Sequence, residues 1–350
     1  MAITCNEKLE FNVRKLNTSK KILFAALDWG YGHMTRGSER IVQFLQEGNI
    51  VEIACSENQE SFFRNRFPEL LLHVTLPNNH IQIESGRRLF FKLGLRVFDF
   101  RSNWKKEKSW LLKHVESNSY DLIYSDNRYG FYHPNVHSVL LTHQLTLPGP
   151  RFLLALPQLV LNANLKNFNE IEIPDFKNTP KLSGNLSHLK GTFQTTFIGP
   201  LSQVKPLQTS TKKQLLLILS GPEPQRSRFA KDILQETSQL GFQLVVAGES
   251  TVKSRNSNVT QLGYCNAKQL EQLMNESSHI VCRSGYSTLM ELAAIGKKAL
   301  LIPTSGQFEQ EYLAKYWGEQ FKFPTANENA ISTKDFVNYL NETTHFERRQ

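Results

Sequence analysis

Short apolar runs recur along the chain, each followed by a stretch whose apolar residues return at helical spacing. Residues 21–27 (KILFAAL) read as a strand, and 34–46 follow as a helix with Ile41, Val42 and Leu45 at helical spacing. Residues 50–56 (IVEIACS) predict a second strand and 71–76 a third. A helix near 106–117 then leads to strands at 120–125 (YDLIYS) and 139–142 (VLLT). Continuous apolar runs suit parallel strands buried on both faces, and their alternation with helices predicts stacked βαβ units.

The pattern changes over 147–206, where Pro148, Pro150, Pro157, Pro174, Pro180 and Pro200 accumulate. That stretch predicts the close of one domain and a linker to the next. A second alternating series opens at 214–220 (QLLLILS). It continues through strands at 243–247, 259–262, 279–282 and 299–302, with helices near 227–239, 267–274 and 287–294. The organisation is read as an extension over 1–20, an α/β domain over 21–200 and another over 201–350. A length of 350 residues suits two such cores. Two tandem Rossmann-like sheets bind ligands at the carboxyl ends of their strands, so a cleft between facing domains is the expected site.

The net charge of +9 invites an anionic partner: nucleic acid, a phosphorylated small molecule or a membrane surface. No nucleic-acid motif accompanies it. No apolar run reaches the roughly 18 residues of a membrane span. Residues 1–20, with Glu7, Lys8, Glu10, Arg14 and Lys15, lack the apolar segment of a signal peptide, so a cytoplasmic location is expected. Cys5, Cys55, Cys265 and Cys282 are scattered without CxxC or Cys/His ligand spacing, so neither a disulfide framework nor a metal is expected.

Three turns carry candidate chemistry. In Asp28-Trp29-Gly30-Tyr31-Gly32-His33-Met34-Thr35-Arg36, directly after the first strand, Gly30 and Gly32 let the backbone turn sharply and a ligand approach. The helix that follows points unpaired N–H groups at that ligand, with His33 and Arg36 at the same mouth. In Cys282-Arg283-Ser284-Gly285-Tyr286-Ser287-Thr288-Leu289-Met290-Glu291, the residues Ser284, Gly285, Ser287 and Thr288 offer donors to a phosphate. Glu291, one helical turn past Ser287, suits ribose hydroxyls. The loop Pro303-Thr304-Ser305-Gly306-Gln307-Phe308-Glu309-Gln310-Glu311 has the carboxylates and amides that sugar hydroxyls require. Alone, each is also what a tight turn or a solvated helix face would show.

Together, the second and third pieces resemble the nucleotide-sugar-binding half of the GT-B glycosyltransferases, in particular the MurG-like members with a family 28 type C-terminal domain. The likeness runs through CRSG (282–285), a helix carrying Glu291, a strand, Pro303 and the Gln-rich loop, and is strongest over 214–321. It implies that Glu291 holds the ribose, that Gln310 and Glu311 face the donor sugar, and that 284–288, with Arg283 at their head, lie near the diphosphate. It also places the Gly30–His33 turn at the reaction centre and acceptor phosphates. The sequence departs from the family at Ser220-Gly221-Pro222-Glu223-Pro224-Gln225-Arg226, where prolines remove backbone donors, so phosphate contact falls to Ser220, Gly221 and Arg226. Glu311 stands where a second glutamine is usual. Tyr264, at the end of a strand, is a candidate edge of the nucleobase pocket.

The expected function is metal-independent, inverting transfer of a sugar from a nucleoside diphosphate sugar, a UDP-sugar by the resemblance, to an acceptor hydroxyl. No cofactor beyond that co-substrate is expected. His33 is the first candidate base and Asp126 the second. Arg128 and His143, after two other strand ends, are candidates to face the acceptor. Residues 85–113 interleave Arg87, Arg88, Lys92, Arg96 and Lys105 with Phe90, Phe91, Phe98, Trp104 and Trp110. They read either as a surface for an anionic membrane bearing a lipid-linked acceptor, or as a helix with core aromatics and a solvated basic face. A nucleotide-sugar hydrolase of the same fold and a non-catalytic nucleotide-sugar binding module are the rival readings.

Overall fold

The computed structural model describes residues 19–28, 31–77, 89–149, 151–188 and 193–342, with the side chains of 89–100 and 151–153 outside the description. Gly30, Cys5 and residues 85–88 therefore lie outside the described residues. Two parallel sheets are present. The first contains β1 (Lys21–Ala26), β2 (Ile50–Ala54), β3 (Leu72–His73), β4 (Leu122–Asp126), β5 (Ser138–Leu141), β6 (Glu170–Ile173) and β7 (Thr195–Phe197), in the order β3-β2-β1-β4-β5-β6-β7. Its helices are α1 (Tyr31–Gln46), α2 (Glu57–Arg66), α3 (Leu89–Glu116) and α4 (Arg151–Leu165). The second contains β8 (Lys212–Ile218), β9 (Gln243–Ala247), β10 (Val259–Gly263), β11 (Ser277–Cys282) and β12 (Leu300–Leu301), in the order β10-β9-β8-β11-β12. It carries α5 (Gln225–Thr237), α6 (Ala267–Glu276), α7 (Tyr286–Ile295), α8 (Phe308–Phe321) and α9 (Thr333–Leu340).

Strand order reverses between β1 and β4 in the first sheet and between β8 and β11 in the second. In open α/β sheets such reversals leave a crevice at the carboxyl edge, because the connections on either side depart in opposite directions. Ala26 pairs with Asp126, and Ile218 with Cys282. The first crevice is thus bounded by the turn before His33 and by Asp126. The second is bounded by Ser220–Gly221 and by the Arg283–Ser287 turn. The apolar runs of both sheets are buried on both faces: β1 from Ile22 to Ala26, β8 from Gln214 to Ile218.

Three expectations need correction. The proline-rich stretch 147–206 is not a linker throughout, since it supplies α4, β6 and β7 to the first sheet. Ile171, Ile173, Leu161 and Leu165 are core residues there; the prolines had masked a helix that tolerates Pro157 inside it. Leu182 and Leu186, from the same stretch, pack instead into the second domain's core. Trp317 of α8 donates to the Leu182 carbonyl (2.8 Å) and Tyr316 to that of Lys181 (2.7 Å). The expected strand 71–76 shortens to Leu72–His73 at the sheet edge. The loop 303–311 becomes helical from Phe308, so Gln310 and Glu311 sit in the first turn of α8.

Candidate active site

His33 lies in the first turn of α1, and its side chain keeps 18% exposure. Its Nδ1 is 3.1 Å from Asp126 Oδ1 at the end of β4. Asp126 is fully buried and is gripped by Arg36, whose Nε donates to Oδ2 (3.1 Å) and whose Nη2 donates to Oδ1. One turn of helix separates His33 from Arg36, so both side chains come off the same face of α1. Gly37 makes the approach possible: a Cβ there would meet Phe24 at 2.6 Å and Asp126 at 3.6 Å.

Burial alone would raise the Asp126 carboxyl, but the Arg36 guanidinium and the His33 hydrogen bond outweigh it and hold it below the usual carboxylate range. His33 Nδ1 also lies 2.9 Å from Arg36 Nη2, so it faces a donor and an acceptor together; in the tautomer that donates Nδ1–H to the ionised Asp126, Nε2 keeps a free lone pair. Burial pushes His33 below its ordinary value. Asp126 opposes that shift and Arg36 reinforces it. At neutral pH the dyad is therefore a neutral imidazole oriented by a carboxylate, the form a general base needs. Asn127, next to it, holds a left-handed φ of 58°, and its buried Oδ1 has no hydrogen-bond partner among the described residues.

The second domain meets this constellation through α7 and α8. Gly285 is the N-cap of α7, and the first helical bond runs from Leu289 N to Gly285 O (3.1 Å). The amides of Tyr286, Ser287 and Thr288 thus have no intrahelical acceptor, and the positive end of the helix faces the turn of the first domain. Ser287 Oγ donates to the Gly32 carbonyl (3.0 Å), and a Cβ on Gly32 would stand 3.1 Å from that hydroxyl. Tyr286 stacks on His143 with centroids 4.0 Å apart and planes at 13°. His143 Nε2 lies 3.1 Å from Glu309 Oε1, and its Nδ1 3.3 Å from Arg36 Nη1. Burial would raise Glu309, yet the hydrogen bond with His143 and the nearby Arg36 guanidinium hold it low. Tyr31 and Tyr264, both largely exposed, meet across the mouth at 5.5 Å.

His33, Arg36, Asp126, Gly32, His143, Gly285, Ser287, Thr288 and Tyr264 are thus brought to one cleft. Glu291, one turn further along α7, is buried with 8% exposure. Burial, helped by Glu39 of α1, pushes its carboxyl up to about 7. Other candidates have different surroundings. Arg128 is fully buried at the carboxyl end of β1, donating to Ala26 O (2.8 Å) and Glu107 (2.8 Å) and standing 3.6 Å from Asp28. Arg283 is buried against Phe229 (3.8 Å to the ring centre) and paired with Glu328. Arg226 is turned onto Glu223 of its own loop (3.1 Å), beside Gly221 with φ of 92°. Ser220 is half-buried at the end of β8. Ser284 donates to the Gln310 carbonyl (2.8 Å). The Gln310 side chain caps Thr304 N (2.9 Å) and that of Glu311 caps Gly306 N (2.8 Å). Glu311 also lines a cavity of about 1030 Å³ between α5 and the 303–306 loop.

Sequence reading missed Glu309 as a cleft residue. Its signal was there: on a helix beginning at Phe308 it and Gln310 diverge by about 100°, so only one of them can point at a given face.

Two Rossmann-like domains joined at their carboxyl edges define the GT-B class of architecture. Residues 207–350 match the model of the glycosyltransferase family 28 C-terminal domain. The chain is 28% identical over 141 residues to UDP-N-acetylglucosamine–N-acetylmuramyl-(pentapeptide) pyrophosphoryl-undecaprenol N-acetylglucosamine transferase 1 of Bacillus thuringiensis (strain Al Hakam). That match spans 37% of this chain and 38% of the relative's length. The fold is similar to the glycotransferase of kitacinnamycin (TM-score 0.64, 12% identity, 92% of this chain and 89% of that one). It is also similar to Acinetobacter baumannii MurG (TM-score 0.56, 13% identity, 92% and 91%).

Proposed function

We propose that this chain is a metal-independent, inverting glycosyltransferase that moves a sugar from a UDP-sugar to an acceptor hydroxyl. The observation that carries the reading is the His33–Asp126 dyad set directly opposite the free N-terminal amides of α7. His33 Nε2 takes the acceptor proton as the hydroxyl oxygen attacks the anomeric carbon. The α7 amides and the Ser287 and Thr288 hydroxyls receive the charge that develops on the departing diphosphate. Attack from the first domain with departure toward the second places nucleophile and leaving group on opposite faces of the sugar, which inverts the anomeric centre. The Ser287–Gly32, Tyr31–Tyr264 and His143–Glu309 contacts must part to admit the donor, so donor binding is coupled to domain opening.

The acceptor we read as lipid-linked. Support comes from Leu156 and Leu159, about two-thirds exposed on α4, and from the exposed Arg101, Lys105, Lys106 and Lys113 on α3. In the described part of α3, Leu111 is core and Trp110 stacks on His114, so those residues serve packing and the basic ones face solvent. Among the described residues no helix is long and apolar enough to cross a membrane. Sedimentation with anionic vesicles at low salt, lost at high salt, is the expected behaviour; equal sedimentation with neutral vesicles would overturn this part.

Glu291 gives a test that separates ligand binding from structure. Its carboxyl is raised from an unfolded value of about 4.3 to about 7, so the free protein loses stability as pH rises through that window. Glu291→Gln is therefore expected to stabilise the free protein at pH 8, by up to about 3 kcal/mol, while weakening nucleotide binding. Thermal unfolding with a panel of nucleoside diphosphates reads both effects. A shift with UDP in the parent that vanishes in the variant supports the donor site. An undiminished shift in the variant sinks the ribose assignment.

A further inference from the structure

The β2–β3 edge of the first sheet holds a second cluster of chemistry-bearing side chains, made of residues other than those of the His33–Asp126 site. Glu52 of β2, His73 of β3 and His114 of α3 converge so that one ligating atom from each lies within 4.8 Å of the others. His73 Nε2 is 2.8 Å from Glu52 Oε2. The Tyr120 hydroxyl donates to the same oxygen (2.5 Å) and stands 2.9 Å from His114 Nε2 and 3.5 Å from His73 Nε2. Three ligating atoms, from β2, β3 and α3, thus gather around the Tyr120 hydroxyl.

We infer that this cluster binds one divalent transition metal ion of the zinc class through Glu52 Oε2, His73 Nε2 and His114 Nε2, with the Tyr120 oxygen at the fourth corner. The spacing carries the assignment. A tetrahedral ion with bonds of roughly 2.0–2.1 Å keeps its ligands about 3.3 Å apart; His73 Nε2 and Glu52 Oε2 are 2.8 Å apart and all three ligating atoms lie within 4.8 Å of one another, so small side-chain rotations bring them to that edge. The donor set, two imidazoles and a carboxylate, is also the set zinc takes most readily alongside cysteine.

The surroundings hold the rings in place. Trp110 stacks on His114 at 4.7 Å and 9°, and the two imidazoles meet edge to face at 4.3 Å. Lys21 Nζ occupies the other carboxylate oxygen, Oε1, at 2.7 Å, which leaves Oε2 to the ion. The lysine side chain is 34% exposed and can swing toward water as the ion's charge arrives, and His73, at 19%, leaves an approach from solvent. On binding, each imidazole presents a bare Nε2 and carries its proton on Nδ1. The ion would tie the two-residue edge strand β3, which pairs with β2 through Ile53–Leu72 and Ala54–His73, to the end of α3. Its role is therefore structural and separate from sugar transfer.

The test uses the full chain, stripped with chelator and titrated with Co²⁺ and then Zn²⁺. Expected are one equivalent of Co²⁺ with the intense visible absorption of a tetrahedral site, its displacement by Zn²⁺, and a rise in Tm with Zn²⁺. His73→Gln and His114→Gln should each weaken binding by more than the roughly 10–100-fold that outer-shell changes cost. Failure of the parent chain to bind stoichiometrically overturns the inference, as does the pale spectrum of a six-coordinate ion or unchanged binding in both variants. The parent spectrum decides the matter even where a variant does not fold.

Discussion

Replacing His33 by alanine is expected to lower kcat by about 10²- to 10⁴-fold with little change in donor KM, because a general base acts on the acceptor proton in the transition state alone. The imidazole works only when neutral. Burial and Arg36 hold it below the ordinary histidine value, so the midpoint of the acid limb of kcat should lie below that of an ordinary histidine. Stopped-assay measurement of UDP release against pH, for the parent and for the alanine variant, checks both statements. A variant that retains full kcat would remove His33 from the chemistry. A parent that binds UDP-sugars yet turns none over would make the cleft a binding module. UDP release that needs no acceptor and matches release of free sugar would instead identify a hydrolase, with water in the acceptor's place.

The alternation of apolar runs and helical patterns was legible because strands buried on both faces must be almost wholly apolar, and KILFAAL and QLLLILS leave no other reading. From the alternation came two parallel sheets, and from the carboxyl-edge rule came the placing of His33, Asp126 and the 284–288 turn. What the pattern could not reveal was pairing through space. Arg128 follows Asp126 by two residues, and the pattern gave no sign that the left-handed Asn127 precedes it or that its guanidinium bonds Ala26 O and Glu107. Arg283 looks like a phosphate ligand inside CRSG, yet its partner Glu328 lies in a stretch with no motif of its own. Glu52, His73 and His114 carry no ligand spacing at all. Only strand order β3-β2-β1 and the return of α3 bring them together.

The Arg36–Asp126 pair should dominate the stability of the first domain's mouth. Removing one partner of a buried ion pair leaves the other uncompensated, at a cost of roughly 3–5 kcal/mol. Asp126→Asn strands the Arg36 guanidinium, and Arg36→Met strands the carboxylate, so each single variant is expected to lose about that much by denaturant unfolding. The double variant should recover a large part of the loss, since neither charge remains to be solvated. The folded Asp126 carboxyl lies below its unfolded value. Its contribution is therefore complete above about pH 4 and disappears as pH falls through the lower folded value, so the Asp126→Asn penalty should shrink in acid. Catalysis separates the two partners. Asp126→Asn loses the carboxylate that fixes the proton on His33 Nδ1 and should lower kcat sharply. Arg36→Met keeps both members of the His33–Asp126 pair and removes a cation from beside His33, so the acid limb of kcat should move to higher pH. Equal kinetic losses in the two variants, with no movement of that limb, would show that the pair acts through stability and not through the protonation of His33.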